Sequence, residues 1–305
     1  MLHRVGPLSE DVFSPNADMS VSVEFLEEFI DSARARGYRF VSLDQLCELI
    51  EMGSDRKFLA LTFDDGYRDN FITAYPLLKR LEIPFTIYVT TAFPDGDAVL
   101  WWYALEQMLQ SQNFVKLADG RELLTRTNED KLRAFVLLRQ LVMKLPSHGL
   151  GNALNEMFYQ KYFDWRQICL SEAVSWHDLR ELALDPKVTI GAHTVSHPVL
   201  STLPVEQACA EMRNSRDRIE AMTGATVSHF CYPFGSREEV GRREFELAQK
   251  LGFKTATTTR WGNIFRAHRM HLHGLPRVPL TNAFSWEGFR QQSLKRLWRG
   301  RVVSA

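Results

Sequence analysis

Two adjacent carboxylates, Asp64 and Asp65, follow a short apolar run and precede a glycine in segment 61–67. The run is rich in β-branched and aromatic residues, which are typical of a buried strand. Neighbouring residues that leave a strand point in different directions, so the two carboxylates would occupy different positions. One of them could bind a cation while the other acts on a water molecule bound to that cation.

Two histidines, His193 and His197, lie four residues apart in segment 191–198. Two neutral imidazoles and one carboxylate form a recurrent ligand set for Zn²⁺ and related divalent ions, and this set leaves coordination positions for water and substrate. We therefore predict a divalent metal ion, with Zn²⁺ preferred, bound by Asp65, His193 and His197. The second carboxylate matters because a nearby base must accept the proton of the metal-bound water.

The elements that must position these residues alternate between strand-like runs and helical stretches, which predicts a parallel sheet or barrel of βα units. Both pairs follow predicted strands, and active sites in parallel α/β folds gather at the C-terminal edge of the strands. Asp69 is the predicted N-cap of the helix after the acidic pair. The predicted strands cover residues 58–63, 84–90, 188–193, 229–234, 253–259 and 275–280.

Residues from about 95 to 175 interrupt the alternation, because they show helical patterns and no convincing strand. We expect a helical insertion there, within a single catalytic domain that spans residues 1–305. A basic amphipathic helix predicted at about 284–300 is a candidate for peripheral contact with an anionic membrane, although such faces are more often only solvated. Its cations are Arg290, Lys295, Arg296, Arg299 and Arg301.

The composition excludes several classes of function. Lysine plus arginine equals aspartate plus glutamate at 37 each, so no global charge favours binding of nucleic acid. The four cysteines are far apart and show no CxxC spacing, which fits a reducing compartment. No signal-like apolar stretch or membrane-spanning window occurs in the sequence, so we expect a cytoplasmic location.

Taken together, these residues resemble the polysaccharide deacetylase family, also called the NodB-homology family or carbohydrate esterase family four. Residues 62–66 read Thr-Phe-Asp-Asp-Gly, and residues 193–197 read His-Thr-Val-Ser-His, which match two motifs of that family. The resemblance covers roughly residues 55–280 well and the helical insertion poorly. It implies a deformed (β/α) barrel that uses a divalent metal to remove N-acetyl groups from amino sugars of a polysaccharide or its precursor.

The resemblance also implies roles for individual residues. Asp64 would be the general base, while Asp65, His193 and His197 would bind the metal. The tetrahedral oxyanion would be held by the metal and a backbone N–H. Acetate and a free amine would be the products, and the partner of the protein would be an N-acetylated glycan.

The third family motif is only partly kept, because Cys231 stands where the family usually has an arginine that orients the base. Residues 233–235 keep the Pro-Phe-Gly of the motif, and one branch of the family has a small residue followed by tyrosine at the preceding positions. The resemblance therefore implies that Tyr232 and Phe234 lie at the substrate or oxyanion position. Arg277 is our candidate to replace the missing arginine beside Asp64.

The acid that protonates the departing amine has no clear motif match. We select His271, one of three histidines that precede the Leu-Pro-Arg segment at 275–277, as the candidate. Two other functions stay open at this point. The same residues could hydrolyse a cyclic amide that is not a sugar, or the chain could be a catalytically silent carbohydrate-binding protein.

Overall fold

The computed structural model describes residues 1–7, 13–54, 56–145, 149–159 and 161–298. The strands of this part are β1 (Arg4–Val5), β2 (Ser20–Val21), β3 (Arg39–Phe40), β4 (Phe58–Leu59), β5 (Leu61–Phe63), β6 (Phe85–Val89), β7 (Phe114–Lys116), β8 (Glu122–Leu124), β9 (Val188–Ala192), β10 (His229–Cys231), β11 (Thr255–Trp261) and β12 (Leu275–Arg277). The α-helices are α1 (Val23–Ala35), α2 (Leu43–Met52), α3 (Tyr75–Arg80), α4 (Ala92–Asp95), α5 (Trp101–Ser111), α6 (Asn128–Val142), α7 (Leu150–Met157), α8 (Trp165–Glu172), α9 (Trp176–Ala183), α10 (Val205–Thr223), α11 (Arg242–Lys250) and α12 (Trp286–Trp298).

Six of the strands form one parallel sheet in the order β12-β11-β10-β9-β6-β5. The central pair, β6 and β9, is in register from Phe85 opposite Val188 to Val89 opposite Ala192. The sheet curls into a half-barrel, and connecting helices pack on its outer face. The predicted α/β fold of the deformed barrel type is confirmed.

The first residues of the chain bridge the two edges of this sheet. Leu2 donates its N–H to Thr62 O (2.8 Å) and accepts the N–H of Asp64 at its carbonyl (2.9 Å). On the other side, Met1 bonds to the backbone of residues 278 and 280, at 3.0 and 2.9 Å. These bonds place His3 directly beside the strand end that carries the acidic pair.

The two faces of the sheet differ in chemistry because successive strand residues point to opposite sides. The outward residues are apolar and pack in the main hydrophobic cluster; they include Phe63, Ile87, Val89, Ala192, Phe230 and Ala256. The alternate residues, which include Thr62, Tyr88 and Cys231, face the inside of the curl. Gly191 allows this packing, since a Cβ atom there would lie 2.4 Å from Cδ1 of Tyr88.

The insertion at about 95–175 is mainly helical, as expected, and it also contains a β-hairpin that the sequence did not indicate. Strands β7 and β8 pair antiparallel, with Val115 opposite Leu123. Each has only three residues, which is too short for an alternating pattern to be recognised in the sequence. The hairpin packs with α5, α6 and α7 around a separate hydrophobic cluster that includes Leu109, Val115, Leu138 and Leu154.

Two local predictions near the acidic pair hold only in part. Residues 58–63 do not form one strand, because β4 pairs with β3 while β5 pairs with β6. Asp69 does not cap a helix with its side chain, because its carboxylate accepts hydrogen bonds from Arg4 Nε (2.5 Å) and Val5 N (3.2 Å) instead. Long-range partners that the sequence does not show decide both cases.

Helix α12 corresponds to the basic helix predicted at the C-terminus. Its Trp286 stacks on Phe29 and Tyr38, with ring centroids 5.5 and 5.3 Å away, so the helix is anchored on α1 and the turn after it. Arg290 and Lys295 are exposed. Arg299 and Arg301 lie outside the described residues. Among the described helices, none combines the length and apolar character that a membrane span requires.

Candidate metal and catalytic site

Asp65 and the two histidines converge where β5 and β9 end. Asp65 Oδ1 lies 3.2 Å from His193 Nε2 and 3.3 Å from His197 Nε2. One ligand atom from each of the three residues falls within 4.8 Å of the others. Asp65 and His193 are buried, whereas His197 is partly exposed, so the group is reached from the side of His197. The sequence analysis predicted these three residues as ligands of one metal ion, and the structure places them next to one another.

The backbone of β10 fixes the orientation of the His193 ring. His193 Nδ1 lies 2.7 Å from the carbonyl oxygen of Cys231, which can only accept a hydrogen bond. Nδ1 therefore carries a proton, and the lone pair of a neutral ring is left on Nε2, which faces Asp65. A protein carbonyl that holds the distal nitrogen in this way is the usual second partner of a metal-binding histidine.

The loop that carries His197 is held by side chains rather than by a regular element. Glu211 of α10 accepts hydrogen bonds from the backbone N–H groups of Val195 (2.8 Å) and Ser196 (3.0 Å). The Thr194 hydroxyl accepts the N–H of His197 at 3.0 Å. These bonds turn the loop so that both rings of the histidine pair face one carboxylate.

Unusual backbone conformations concentrate at this site. Of the five non-glycine residues in the described part with positive φ, four belong to the three loops around the group. They are Asp65 (75°), Thr194 (69°), His197 (58°) and Phe234 (63°). Each such conformation costs on the order of 1–3 kcal/mol and persists only when its surroundings enforce it, which is typical of functional loops.

Asp64 has a different partner. Arg277 of β12 holds its carboxylate with two bonds, from Nη1 to Oδ1 (2.6 Å) and from Nη2 to Oδ2 (2.7 Å). Arg277 also donates to Thr258 O (2.9 Å) and contacts the Cys231 sulfur at 3.1 Å. The guanidinium thus occupies the space beside Cys231 and fixes the plane of the Asp64 carboxylate, and the two aspartates have separate environments.

The two carboxylates are ionised despite their burial. Burial alone raises the pKa of Asp64, but the charge and hydrogen bonds of Arg277 outweigh it and lower the pKa to about 2. Burial likewise opposes ionisation of Asp65, and the interactions with the neighbouring His193 and His197 imidazoles outweigh it and hold the pKa of Asp65 well below the ordinary value. Asp64 is therefore a carboxylate, able to accept a proton, at neutral pH.

The side chains of Phe234 and Tyr232, both from the third motif, lie in different surroundings in the structure. Phe234 is 43% exposed, and its ring lies 5.1 Å from that of His197, so it borders the open side of the site. Tyr232 follows Cys231 in the strand and points to the opposite face, where its hydroxyl donates to His273 O (2.9 Å). Its N–H donates to Thr257 O (3.1 Å). The structure therefore does not support an oxyanion role for Tyr232, because strand alternation turns its side chain away.

His271 is not brought to the site either. It precedes the amino end of β12, whereas the aspartates and metal-binding histidines follow the carboxyl ends of their strands. The adjoining residue His273 bonds to Phe253 O (2.8 Å), just before the amino end of β11, which confirms that this segment lies at the opposite edge. The structure therefore does not bring His271 to the aspartates, although it lies close to β12 in sequence.

His3 is the imidazole that the sequence analysis did not select. It follows Leu2 between the edges of the sheet, and its carbonyl accepts a hydrogen bond from Asn70 Nδ2 (2.8 Å). Burial raises the pKa values of Asp64 and Asp65, and the charge of His3 contributes to the opposing effects that lower both. His3 is thus electrostatically coupled to both carboxylates. No motif spacing connects it to them, since 60 residues of chain lie between.

Arg277→Lys tests whether the two hydrogen bonds from Arg277 to Asp64 are needed for turnover. Lysine keeps the buried positive charge but supplies a single point of contact instead of the planar fork. We expect kcat to fall roughly 10- to 100-fold, since small misplacements of a reacting group have effects of this size, with unchanged metal content. Arg242→Lys, at a 91% exposed side chain of α11, is the control. A kcat of Arg277→Lys equal to that of the control would remove the orienting role.

Comparisons with known proteins agree with this geometry. The family model described as polysaccharide deacetylase matches residues 52–117 and 132–256. No curated protein sequence matches the chain. Among solved structures, the deacetylase PplD of Streptococcus pyogenes, in complex with acetate, is similar with a TM-score of 0.62 and 18% identity, over 95% of this chain and 94% of that one.

Two further solved structures are similar to the chain. IcaB from Ammonifex degensii has a TM-score of 0.57 and 17% identity, over 92% of this chain and 89% of its own. A de-N-acetylase from Aggregatibacter actinomycetemcomitans has a TM-score of 0.58 and 15% identity, over 95% and 97%. At these identities the likeness concerns the fold, whereas the family model spans more than half of the chain. The chain belongs to the polysaccharide deacetylase family.

Proposed function

We propose that the protein is a metal-dependent hydrolase that removes N-acetyl groups from amino sugars of a polysaccharide or its precursor. The observation that carries this proposal is the division of the acidic pair. Asp65 faces two imidazoles, while Asp64 is bound by Arg277. A site that only bound sugar would need neither an ion site nor an ionised base next to it, so this division favours hydrolysis over silent binding.

The donor set fits a divalent cation of the Zn²⁺ type. Asp65 offers a carboxylate oxygen, and the tautomer imposed on His193 by Cys231 O offers an unprotonated Nε2. Such a cation lowers the pKa of a bound water molecule and polarises an amide carbonyl. Asp64 accepts the proton of the attacking water, and Arg277 keeps the accepting oxygens in place. Phe234 borders the face on which the sugar would lie.

The departing amine requires a proton, and we propose that His3 supplies it. His193 and His197 are committed to Asp65, whereas His3 adjoins both aspartates from the segment that bridges the sheet edges. An imidazole can donate a proton to a leaving group and recover it afterwards. His3 thereby replaces His271 in this role.

His3→Gln tests the acid. Glutamine keeps hydrogen-bonding capacity but cannot transfer a proton, so we expect kcat on N-acetylglucosamine oligomers to fall roughly 10²- to 10⁴-fold with metal content retained. The loss should be much smaller for an aryl acetamide, because a weakly basic aryl amine leaves without prior protonation. His271→Gln is the matched control and should retain wild-type rates. Equal losses on both kinds of substrate would contradict an acid role for His3.

The choice between sugar and non-sugar amides is made by product analysis. Metal-loaded protein is incubated with N-acetylglucosamine oligomers and, separately, with five- and six-membered cyclic amides. We expect equal amounts of acetate and new primary amine from the oligomers, and no ring opening of the cyclic amides. Ring opening without acetate release would favour the cyclic-amide alternative, and tight oligomer binding without either reaction would favour a silent binding protein.

We also propose that residues 1–305 act as one catalytic domain. In addition, we propose that α12 makes peripheral contact with anionic membranes. Arg290 and Lys295 are exposed on the described part of this helix, and Leu294 beside them is 50% exposed. Cations next to an exposed apolar side chain suit an anionic interface. Co-sedimentation should show that the protein binds vesicles with anionic lipid and does not bind neutral vesicles. The double substitution Arg290→Glu with Lys295→Glu should abolish the binding to anionic vesicles. Equal binding to both vesicle types would contradict this contact.

A further inference from the structure

Arg277 also lines a cavity of about 1020 Å³ that the chemistry above does not use. The cavity lies between α2, residues 54–62, the segment around β12, and α12. Its volume is at the upper end of the range of roughly 300–1,000 Å³ that holds small organic ligands. The inner part of the cavity reaches Thr62 and Thr257, next to the ion pair of Arg277 with Asp64.

The wall of the cavity is mainly hydrocarbon. Its fully or nearly fully buried aliphatic members are Leu2, Leu43, Leu46, Ile50, Leu61, Leu275 and Leu280. Partly buried aromatic side chains continue this wall toward the surface; they are Phe58, Phe284, Trp286 and Phe289. Sugar rings need hydrogen-bond partners along their edges, so a wall of this composition favours an apolar chain instead.

The charged residues around the cavity are almost all basic, although the formal net charge of the whole chain is zero. The basic residues of the lining are Arg36, Arg56, Lys57, Arg266, Arg277 and Arg290, and its one acidic residue among those described is Glu287. Arg277 is paired with Asp64, and Arg290 with Glu287 at 3.0 Å. The other four are exposed, and none forms a salt bridge with a carboxylate of the described residues.

Two of these basic residues, Arg36 and Lys57, lie next to each other at the end of the cavity near α12. Lys57 Nζ donates to Arg36 O at 3.2 Å and lies 5.5 Å from the ring centroid of Tyr38. The Arg36 guanidinium lies over Trp286 at 5.0 Å. Both basic side chains therefore contact aromatic rings at the rim of the apolar cavity. An anion with several acceptor oxygens can accept charge-assisted hydrogen bonds from both side chains.

We propose that this cavity binds a phosphate-bearing lipid, with its hydrocarbon chain against the leucine-rich wall and its phosphate at Arg36, Arg56 and Lys57. Charge complementarity selects an anionic head group, and the wall selects a long chain. This site lies beyond the hydrolysis proposed above and does not require the metal. Its occupant lies against the arginine that holds the candidate base, so the lipid is placed next to the active site.

The direct test is calorimetric titration of the full chain with dodecyl phosphate below its critical micelle concentration. We expect one molecule bound per chain, with dodecanol bound at least about tenfold more weakly and inorganic phosphate not bound. Asp65→Asn should bind dodecyl phosphate like the wild type, so a failure of the metal proposal would leave this result unchanged. Saturable binding of dodecanol as tight as that of dodecyl phosphate would overturn the anionic specificity.

Two pairs of variants locate the site. Leu46→Trp fills the cavity and should abolish binding, whereas Leu132→Trp, at a 51% exposed position of α6, should not change it. Lys57→Glu reverses a rim charge and should weaken binding about tenfold or more, whereas Lys144→Glu on the insertion should not. Circular dichroism checks that each variant is folded. If Leu46→Trp does not fold, Lys57→Glu decides alone, and binding unaffected by Lys57→Glu would overturn the proposal.

Discussion

Asp65→Asn is expected to remove metal binding and hydrolysis together. The substitution deletes the one carboxylate ligand from a group whose other members are imidazoles. Changes outside the ligand shell already lower metal affinity by about 10- to 100-fold, so loss of a direct carboxylate ligand should exceed about 100-fold. Asparagine is chosen because Asp65 has φ 75°, a conformation that asparagine tolerates and alanine does not.

The measurement for Asp65→Asn is a zinc titration in competition with a chelating dye, combined with acetate release. Asp217→Asn on α10, whose side chain is 57% exposed and pairs with Arg216, is the control and should behave as the wild type. Wild-type zinc affinity in Asp65→Asn would show that the ion does not bind at this group. Circular dichroism should show the same fold for both variants.

Asp64→Asn is expected to separate metal binding from turnover. The amide has nearly the shape of the carboxylate but cannot accept the proton of the attacking water, so kcat should fall roughly 10²- to 10⁴-fold. Zinc content should stay at the wild-type value, because both carboxylate oxygens of Asp64 are bonded to Arg277 and the proposed ligands are Asp65, His193 and His197. A variant with wild-type kcat would refute the assignment of the base.

The same substitution should also lower stability, since it leaves the Arg277 guanidinium buried without its counter-charge. Both side chains of this ion pair are at most 6% exposed, and loss of one partner of a buried pair typically costs about 3–5 kcal/mol. Thermal unfolding would show this as a lower midpoint. Asp64→Asn combined with Arg277→Met removes both charges and should recover part of the loss, while turnover stays low.

The residues that the sequence placed correctly are those whose spacing is local. Asp64 and Asp65 are adjacent, and His193 and His197 share one loop, so each pair is visible in the chain and needs only the sheet to unite them. The fold class followed for the same reason, because strand and helix periodicities are local patterns.

The partners of those pairs could not be found in this way. His3 and Arg277 reach Asp64 across 61 and 213 positions, through pairing at the two edges of the sheet that no local pattern encodes. His271 was selected for its nearness to β12 in sequence, without regard to which end of the strand it adjoins. Tyr232 was assigned from a motif, although alternation from the inward-facing Cys231 already directs it outward.

The most direct test of the central claim is a zinc titration of metal-free protein in which acetate release from N-acetylglucosamine oligomers is measured at each step. If Asp65, His193 and His197 form the metal site, the rate should be close to zero without metal, rise in proportion to bound zinc and reach its plateau at one ion per chain. Full acetate release by protein shown by elemental analysis to contain no metal would contradict the account.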